Sequence, residues 1–333
     1  VEAAAERAIG VRLELSREAL RTPPAGTLLE VVYGGAAAAP AAGAPPRLDV
    51  PNRLLGGPPV VERWLSASPV RSFTRGDLAW SEDGERLAGC RTVAAGEDLA
   101  AVTRQQFDAI LELLAERGFP RLLRVWNYLP GINERQAGGE RYRLFNRGRA
   151  EAFAARGGDE AAAGYPASSA VGAPGDRLYT VFLAAGAALS APHHLENPRQ
   201  VPAWRYPRRY GPVPPSFSRA TLGDGLLLLS GTASVVGHAT WHPGALAGQL
   251  AETQRNIERV LAEARQTPRG GRAPVGLAGF DLVKVYLRSS ADLAAARAAL
   301  DPWLSPATPA IFLEADICRA DLLVEIEGVA AAR

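Results

Sequence analysis

The chain has 333 residues, 47% of them hydrophobic, enough for two domains or one large double one. Thirty-seven Lys and Arg against 35 Asp and Glu leave a net charge of +2, so no global field points to nucleic acid or to a membrane. Cys90 and Cys318 stand too far apart in sequence to suggest a disulfide framework or a metal cluster, no apolar run is long enough to span a bilayer, and the Ala-rich start with Glu2 and Glu6 lacks the basic and apolar regions of a secretion signal; the expectation is a soluble cytoplasmic protein.

In chain order, residues 1–69 alternate short apolar patterns (11–15 and 28–33) with a Pro/Ala/Gly stretch at 36–46 that reads as a flexible surface loop. Residues 78–80 and 86–93 flank the turn signal SEDG at 81–84 and predict a hairpin. The spacing of Phe107, Ile110, Leu111 and Leu114 predicts a helix over 103–117, closed by Gly118. Residues 122–129 read as a strand, 141–156 as a helix and 177–185 as a strand. The second half repeats that order: strand 226–231, helix 246–264, strand 280–288, helix 292–300 and a closing strand over 320–329. The wording Tyr165-Pro166-Ala167 returns as Thr308-Pro309-Ala310, each followed by a strand led by an Asp. The expectation is an α+β fold, internally duplicated, with mixed sheets and helices packed on one face, dividing into residues 1–190 and 191–333.

The closing strand carries the first chemical signal. On a period of two, Val324 and Ile326 point one way and Leu323, Glu325 and Glu327 the other, so a carboxylate interrupts what reads as a buried run. It is either a buried, paired or protonated acid or part of a solvated edge. In the duplicate alignment Val181 falls where Glu325 stands. A carboxylate present in one copy and missing from its twin is not needed to make the fold, which weighs against the edge.

Several longer motifs carry a resemblance. The second half, with Ser230-Gly231, the strand DLVKVYL at 281–287, the Thr-Pro-Ala turn and the close LVEIE at 323–327, is similar to the RidA/YjgF superfamily, which implies a fold and no particular reaction. The segments RVWNYLPGIN (124–133), ERYRLFNRGR (140–149), YPASSAVG (165–172), NPRQVPAWRYP (197–207), YGP (210–212) and PSFSRA (215–220) closely resemble the chorismatases, from about Trp80 to the C-terminus. Those enzymes split chorismate and release pyruvate, with no cofactor.

Chorismate is a dianion, so its site needs two separate cationic clamps, for which Arg is best suited. The candidates within the motifs are Arg141, Arg149, Arg205, Arg209 and Arg219, with Arg149 and Arg219 foremost; Tyr142 and Tyr206 are candidate hydroxyl donors. Protonating the enol ether at its terminal methylene needs an acid that keeps its proton near neutral pH, which burial would arrange for a Glu. The resemblance implies Glu325 for that role, with Glu327 as the fallback. It also implies that Gly231 and Cys318, the pair of the 3-hydroxybenzoate-forming branch, shape the pocket and select the product. Cys318 is read as an apolar filler because no histidine stands near it in sequence to activate a thiolate. His238 and His242, at i and i+4 around Trp241, offer no credible metal face, since Gly237 and Pro243 oppose a helix and no third ligand follows. The reading is therefore a metal-free chorismatase forming 3-hydroxybenzoate and pyruvate, either monomeric or trimeric. The rivals are hydrolysis to a dihydroxycyclohexadiene carboxylate, a RidA-like deaminase and a non-catalytic metabolite-binding protein. The deaminase loses ground because its turn arginine is replaced by Ser168 in one copy and Ile311 in the other.

Overall fold

A computed structural model describes residues 10–16, 23–35, 43–156, 164–268, 270 and 272–332. The Pro/Ala/Gly stretch expected as a loop falls largely at 36–42, outside the described residues.

Three sheets carry the chain. The first is built from β1 (Val11–Ser16), β2 (Thr27–Tyr33), β3 (Arg47–Val50) and β4 (Val60–Ser66), in the order β1-β4-β2-β3. The second contains β5 (Arg71–Arg75), β6 (Leu78–Glu82), β7 (Arg86–Ala94), β8 (Arg121–Pro130), β11 (Ala167–Ala173) and β12 (Arg177–Ala185), in the order β11-β8-β12-β7-β6-β5. A short hairpin, β9 (Arg135–Gln136) and β10 (Gly139–Glu140), leads out of β8. The third sheet contains β13 (His193–Leu195), β14 (Ala220–Gly223), β15 (Leu226–Thr232), β18 (Leu282–Leu287), β19 (Ala310–Glu314) and β20 (Val324–Ala331), in the order β13-β14-β15-β20-β18-β19. A second hairpin, β16 (Val235–Val236) and β17 (Ala239–Thr240), follows β15.

The duplication is explicit in these orders. In each large sheet the last strand in sequence lies between the third and fourth, and one pair is parallel, β11 with β8 and β19 with β18. Helices α1 (Leu99–Arg117) and α2 (Arg141–Ala154) cover one sheet; α3 (Leu246–Gln266) and α4 (Leu293–Leu300) cover the other. The architecture is α+β with mixed sheets, as the pattern predicts. α1 starts earlier than its apolar spacing suggests because the Asp98 side chain caps the Ala101 N–H, and it ends where Gly118 turns left-handed at φ +79°. On α3, Leu250, Ile257, Val260, Leu261 and Ala264 recur on one stripe and meet Val324 and Ile326 of β20.

The opposite faces of the two large sheets, with the small N-terminal sheet against them, form a separate core around Trp64, Trp126, Tyr128, Val181, Tyr286 and Leu313. Val181 pairs with Trp126 and Glu325 with Tyr286, and both face inward, so the equivalence of positions 181 and 325 holds. The Pro-Ala wording misaligns the preceding strands. Ser168 is hydrogen-bonded by Asn127 and Arg149 on the helix side, whereas Ile311 belongs to the inner core, so these two are not equivalent. The small N-terminal sheet is tied in by Asn52, which follows β3 and donates to the Gly172 and Glu314 carbonyls, one from each large sheet.

Candidate active site

A cavity of about 560 Å³ opens between the two halves. The first half contributes Asn133, Arg135, Glu140, Tyr142 and Arg143; the second contributes Arg219, Gly231, Cys318, Arg319 and Glu325, and its segment between β13 and β14 adds Tyr206, Tyr210 and Phe217.

Glu325 lies in this wall with its side chain on the inner face of β20, and the residue is 3% exposed. Burial first, and then the charge of Glu327, push its carboxyl up to about 8, against the opposing pull of Arg124 and Arg219. A carboxylic acid that keeps its proton at neutral pH thus faces the cavity. Gly231 makes room for it: a Cβ there would stand 1.9 Å from Glu325 Oε1. The Gly231 N–H meanwhile donates to Ser169 Oγ at 2.9 Å, which ties β15 to β11.

Glu327, two residues on, has the opposite environment. Lys284 Nζ stands 2.9 Å from Oε1 and Arg124 Nη2 2.7 Å from Oε2; Tyr286 and Ser169 also donate to it. These partners outweigh its burial and hold its carboxyl below the usual carboxylate range. Glu327 does not line the cavity and is committed to its two cations, so of the pair only Glu325 both keeps a proton and faces the cavity.

Arg219 is buried, donates from Nη2 to the Val201 carbonyl at 3.1 Å and the Tyr206 hydroxyl at 2.9 Å, and is stacked over Phe217. Its Nε has no hydrogen-bond partner among the described residues, with Glu196 Oε2 3.9 Å away. A buried guanidinium in a cavity wall is suited to an anion. Arg149 is also buried, but it stands behind the wall: it donates to Asn146 Oδ1 at 3.0 Å and lies over the Phe145 ring, which in turn stacks on Tyr142. Burial pulls its guanidinium down to about 10.

Arg141 and Arg209 lie outside the lining. Arg141 donates to the Pro130 carbonyl and Gln136 and so fixes the loop after β8. Arg209 is exposed and donates to His238, which also meets the Tyr210 hydroxyl; Arg205 is exposed as well. His238 and His242 flank a hairpin strand, not a helix. Cys318 lines the cavity with its thiol pushed up to about 12, by burial first and then by Glu325, so it is a neutral wall and not a nucleophile.

Three cavity arginines escaped the sequence reading: Arg135, Arg143 and Arg319. Arg319 lies over the rings of Tyr206 and Tyr210 and donates to the His238 carbonyl. Arg288 holds the loop that carries Cys318 and Arg319 by donating to the carbonyls of Ile317, Arg319 and Leu322. The adjacency of Arg319 to Cys318 was the available signal.

The family described as "Chorismatase FkbO/Hyg5-like, N-terminal" matches residues 62–184. A chorismatase of Streptomyces rapamycinicus is 41% identical over 277 residues, covering 81% of this chain and 82% of that protein. A 3-hydroxybenzoate synthase of Streptomyces hygroscopicus is 37% identical over 296 residues, 85% of each chain. The crystal structure of a chorismatase superposes with a TM-score of 0.86 at 34% identity, over 96% of this chain and 98% of the other. With relatives this similar along most of its length, the chain belongs to the chorismatase family.

Proposed function

We propose that this enzyme converts chorismate to 3-hydroxybenzoate and pyruvate, with Glu325 as the general acid. The observation that carries the reading is a carboxyl kept protonated to about pH 8 by burial, facing a cavity whose wall also carries the buried guanidinium of Arg219. Glu325 donates its proton to the terminal methylene of the enol ether, and positive charge develops at the carbon bearing the ether oxygen. The ring hydroxyl oxygen then attacks the neighbouring ring carbon. The bond from that carbon to the ether oxygen breaks and its electron pair leaves with pyruvate. The hydroxyl proton returns to Glu325, and the arene-oxide-like intermediate opens to the aromatic phenol. Atoms balance without water or a cofactor.

In this reading Arg219, with Tyr206 on its Nη2, holds one substrate carboxylate. Arg319, over the rings of Tyr206 and Tyr210, and Arg135 of the same lining provide the second positive region, and Tyr142 contributes its hydroxyl. Arg149 acts from behind the wall as a buried positive charge beneath Tyr142. Gly231 and Cys318 set the product: one lets the acid reach the cavity, and the other offers a neutral thiol in place of a polar group that would fix an attacking water. The name of the 3-hydroxybenzoate synthase relative supports this branch.

The test is incubation of the purified enzyme with chorismate, with pyruvate followed by a coupled assay and the aromatic product by chromatography. Equal amounts of pyruvate and 3-hydroxybenzoate are expected. Pyruvate with the diene diol in place of the phenol overturns the product, and no pyruvate at all overturns the activity.

A further inference from the structure

Four charged side chains, each 2% exposed or less, form a chain behind Glu325 across three sheets: Glu62 on β4, Lys284 on β18, Glu327 on β20 and Arg124 on β8. Lys284 Nζ bridges the two carboxylates, 3.2 Å from Glu62 Oε2 and 2.9 Å from Glu327 Oε1. Glu62 is held in place by the Tyr33 hydroxyl at 2.6 Å and Trp64 Nε1 at 2.9 Å, and Tyr33 also receives the ammonium at 3.1 Å. Two anions and two cations cancel. Buried charge of this kind is costly to assemble and adds little net stability over an apolar core, so its placement directly behind the acid calls for another reason.

We infer that the N-terminal sheet is part of the catalytic apparatus, with Glu62 a positioning residue that, through Lys284, balances the charge around Glu327 and so sets how tightly Glu325 holds its proton. The inference deepens the reading of Glu325 as the acid and rests on it. Other groups around Glu325 are fixed by their own contacts: Arg219 bonded to Tyr206, and Tyr142, Cys318 and Tyr286 neutral, each of them raised by burial. Arg124, whose Nη1 has no hydrogen-bond partner among the described residues, pulls the Glu325 proton off, and Glu327 holds it on. Glu62 offsets the charge of Lys284, which would otherwise add to the pull of Arg124.

Neutralising Glu62 therefore leaves one excess positive charge in the cluster, and Glu325 should lose its proton more easily. In Glu62→Gln its titration moves to lower pH by on the order of half to one unit. The double variant Glu62→Gln/Lys284→Met removes one charge of each sign and brings the titration back toward the wild-type value. Glu62→Asp keeps the charge and leaves it in place. A role confined to holding the sheet together would move none of these titrations.

The experiment follows the carboxyl of Glu325 by infrared difference spectroscopy against Glu325→Gln, without substrate, alongside the pH profile of kcat/KM with chorismate. A downward shift in Glu62→Gln that the double variant reverses supports the inference; coincident titrations overturn it. If Glu62→Gln does not fold, the wild-type protein still decides by the 13C carboxyl resonance of Glu327. That resonance should stay that of an anion from about pH 5 upward, and a protonated Glu327 overturns the inference. If chorismate is not consumed but the titration moves, the assigned reaction fails and the charge linkage stands; pyruvate release with an unmoved titration is the converse.

Discussion

Val181 and Glu325 occupy the same place in the two copies of the fold, each on the last strand of its unit and each on the inner face, opposite Trp126 and Tyr286 respectively. One residue on, the helix-facing sides are filled alike, by Phe182 and Ile326. The copies differ on the inner face, where Val181 and Leu183 pack in an apolar core while Glu325 and Glu327 carry charge-bearing groups into the same layer. An apolar pair satisfies this position in one copy, so packing does not require the carboxylates of the other. What surrounds them comes from both copies: Lys284 of the second and Arg124 of the first close on Glu327, and Gly231 of the second clears space for Glu325.

The largest expected effect comes from making the second copy more like the first. Glu325→Gln removes the acid but keeps the shape, and pyruvate release from chorismate should fall by about 10²–10⁴-fold in a coupled assay. The same change should stabilise the fold. A carboxyl raised from 4.5 to about 8 binds its proton more tightly when folded, so wild type loses stability as pH rises from 4.5 to about 8. Glutamine carries no such penalty. The variant should gain on the order of a few kcal/mol over wild type at pH 8 and nothing below pH 4, read from urea unfolding at both pH values. Wild-type activity should decline as pH rises through about 8, where the acid loses its proton.

The reverse exchange tests the first copy. Val181→Glu places a carboxyl between Trp126 and Cys90 in a core built without a partner for it, and should destabilise by about 3–5 kcal/mol in urea unfolding. A cost near zero would mean that the inner faces are interchangeable, and would remove the argument from their asymmetry.

Much of this was legible in the sequence because it rests on periodicity. The strand and helix order of both units, the inward turn of Glu325 and its equivalence with Val181 all follow from a period of two or 3.6. The same signal pointed to more than was read from it. Lys284 interrupts the buried run of β18 as Glu325 interrupts β20, and Glu62 and Arg63 interrupt β4, yet none was singled out. Their partners lie on different sheets, 222 residues apart for Glu62 and Lys284, and no local pattern shows that two isolated charges will meet. The arginines failed for another reason. A motif places Arg141, Arg143 and Arg149 on one short helix without saying which reach the cavity. Only Arg143 lines it, Arg149 stands behind the wall, and Arg141 turns back to the loop.

A smaller effect is expected where the copies are adjusted and not exchanged. Gly231→Ala adds one methyl whose carbon would sit 1.9 Å from Glu325 Oε1, so the carboxyl must swing away from the position it now holds. Activity should drop by roughly 10–100-fold, because misplacing a reacting group by about an ångström costs on that order, and any remaining pyruvate should be checked for a change of accompanying product. An Ala variant at full rate would show that the acid works from another rotamer.

The smallest expected effect separates arginines inside the cavity from those beside it. Arg209 is exposed and its guanidinium is occupied by His238 and the Tyr210 ring, while Arg219 is buried with an N–H left over. Arg209→Ala should therefore change KM for chorismate by less than about threefold, the scale expected of a solvated surface charge. Arg219→Lys, which keeps the charge but loses the planar fork that reaches Val201 and Tyr206, should raise KM by about 10-fold or more at unchanged fold. If the two ranked the other way, substrate would be held at the rim near Tyr210 and not against Glu325, and the acid would be left facing a cavity that the enol ether does not enter.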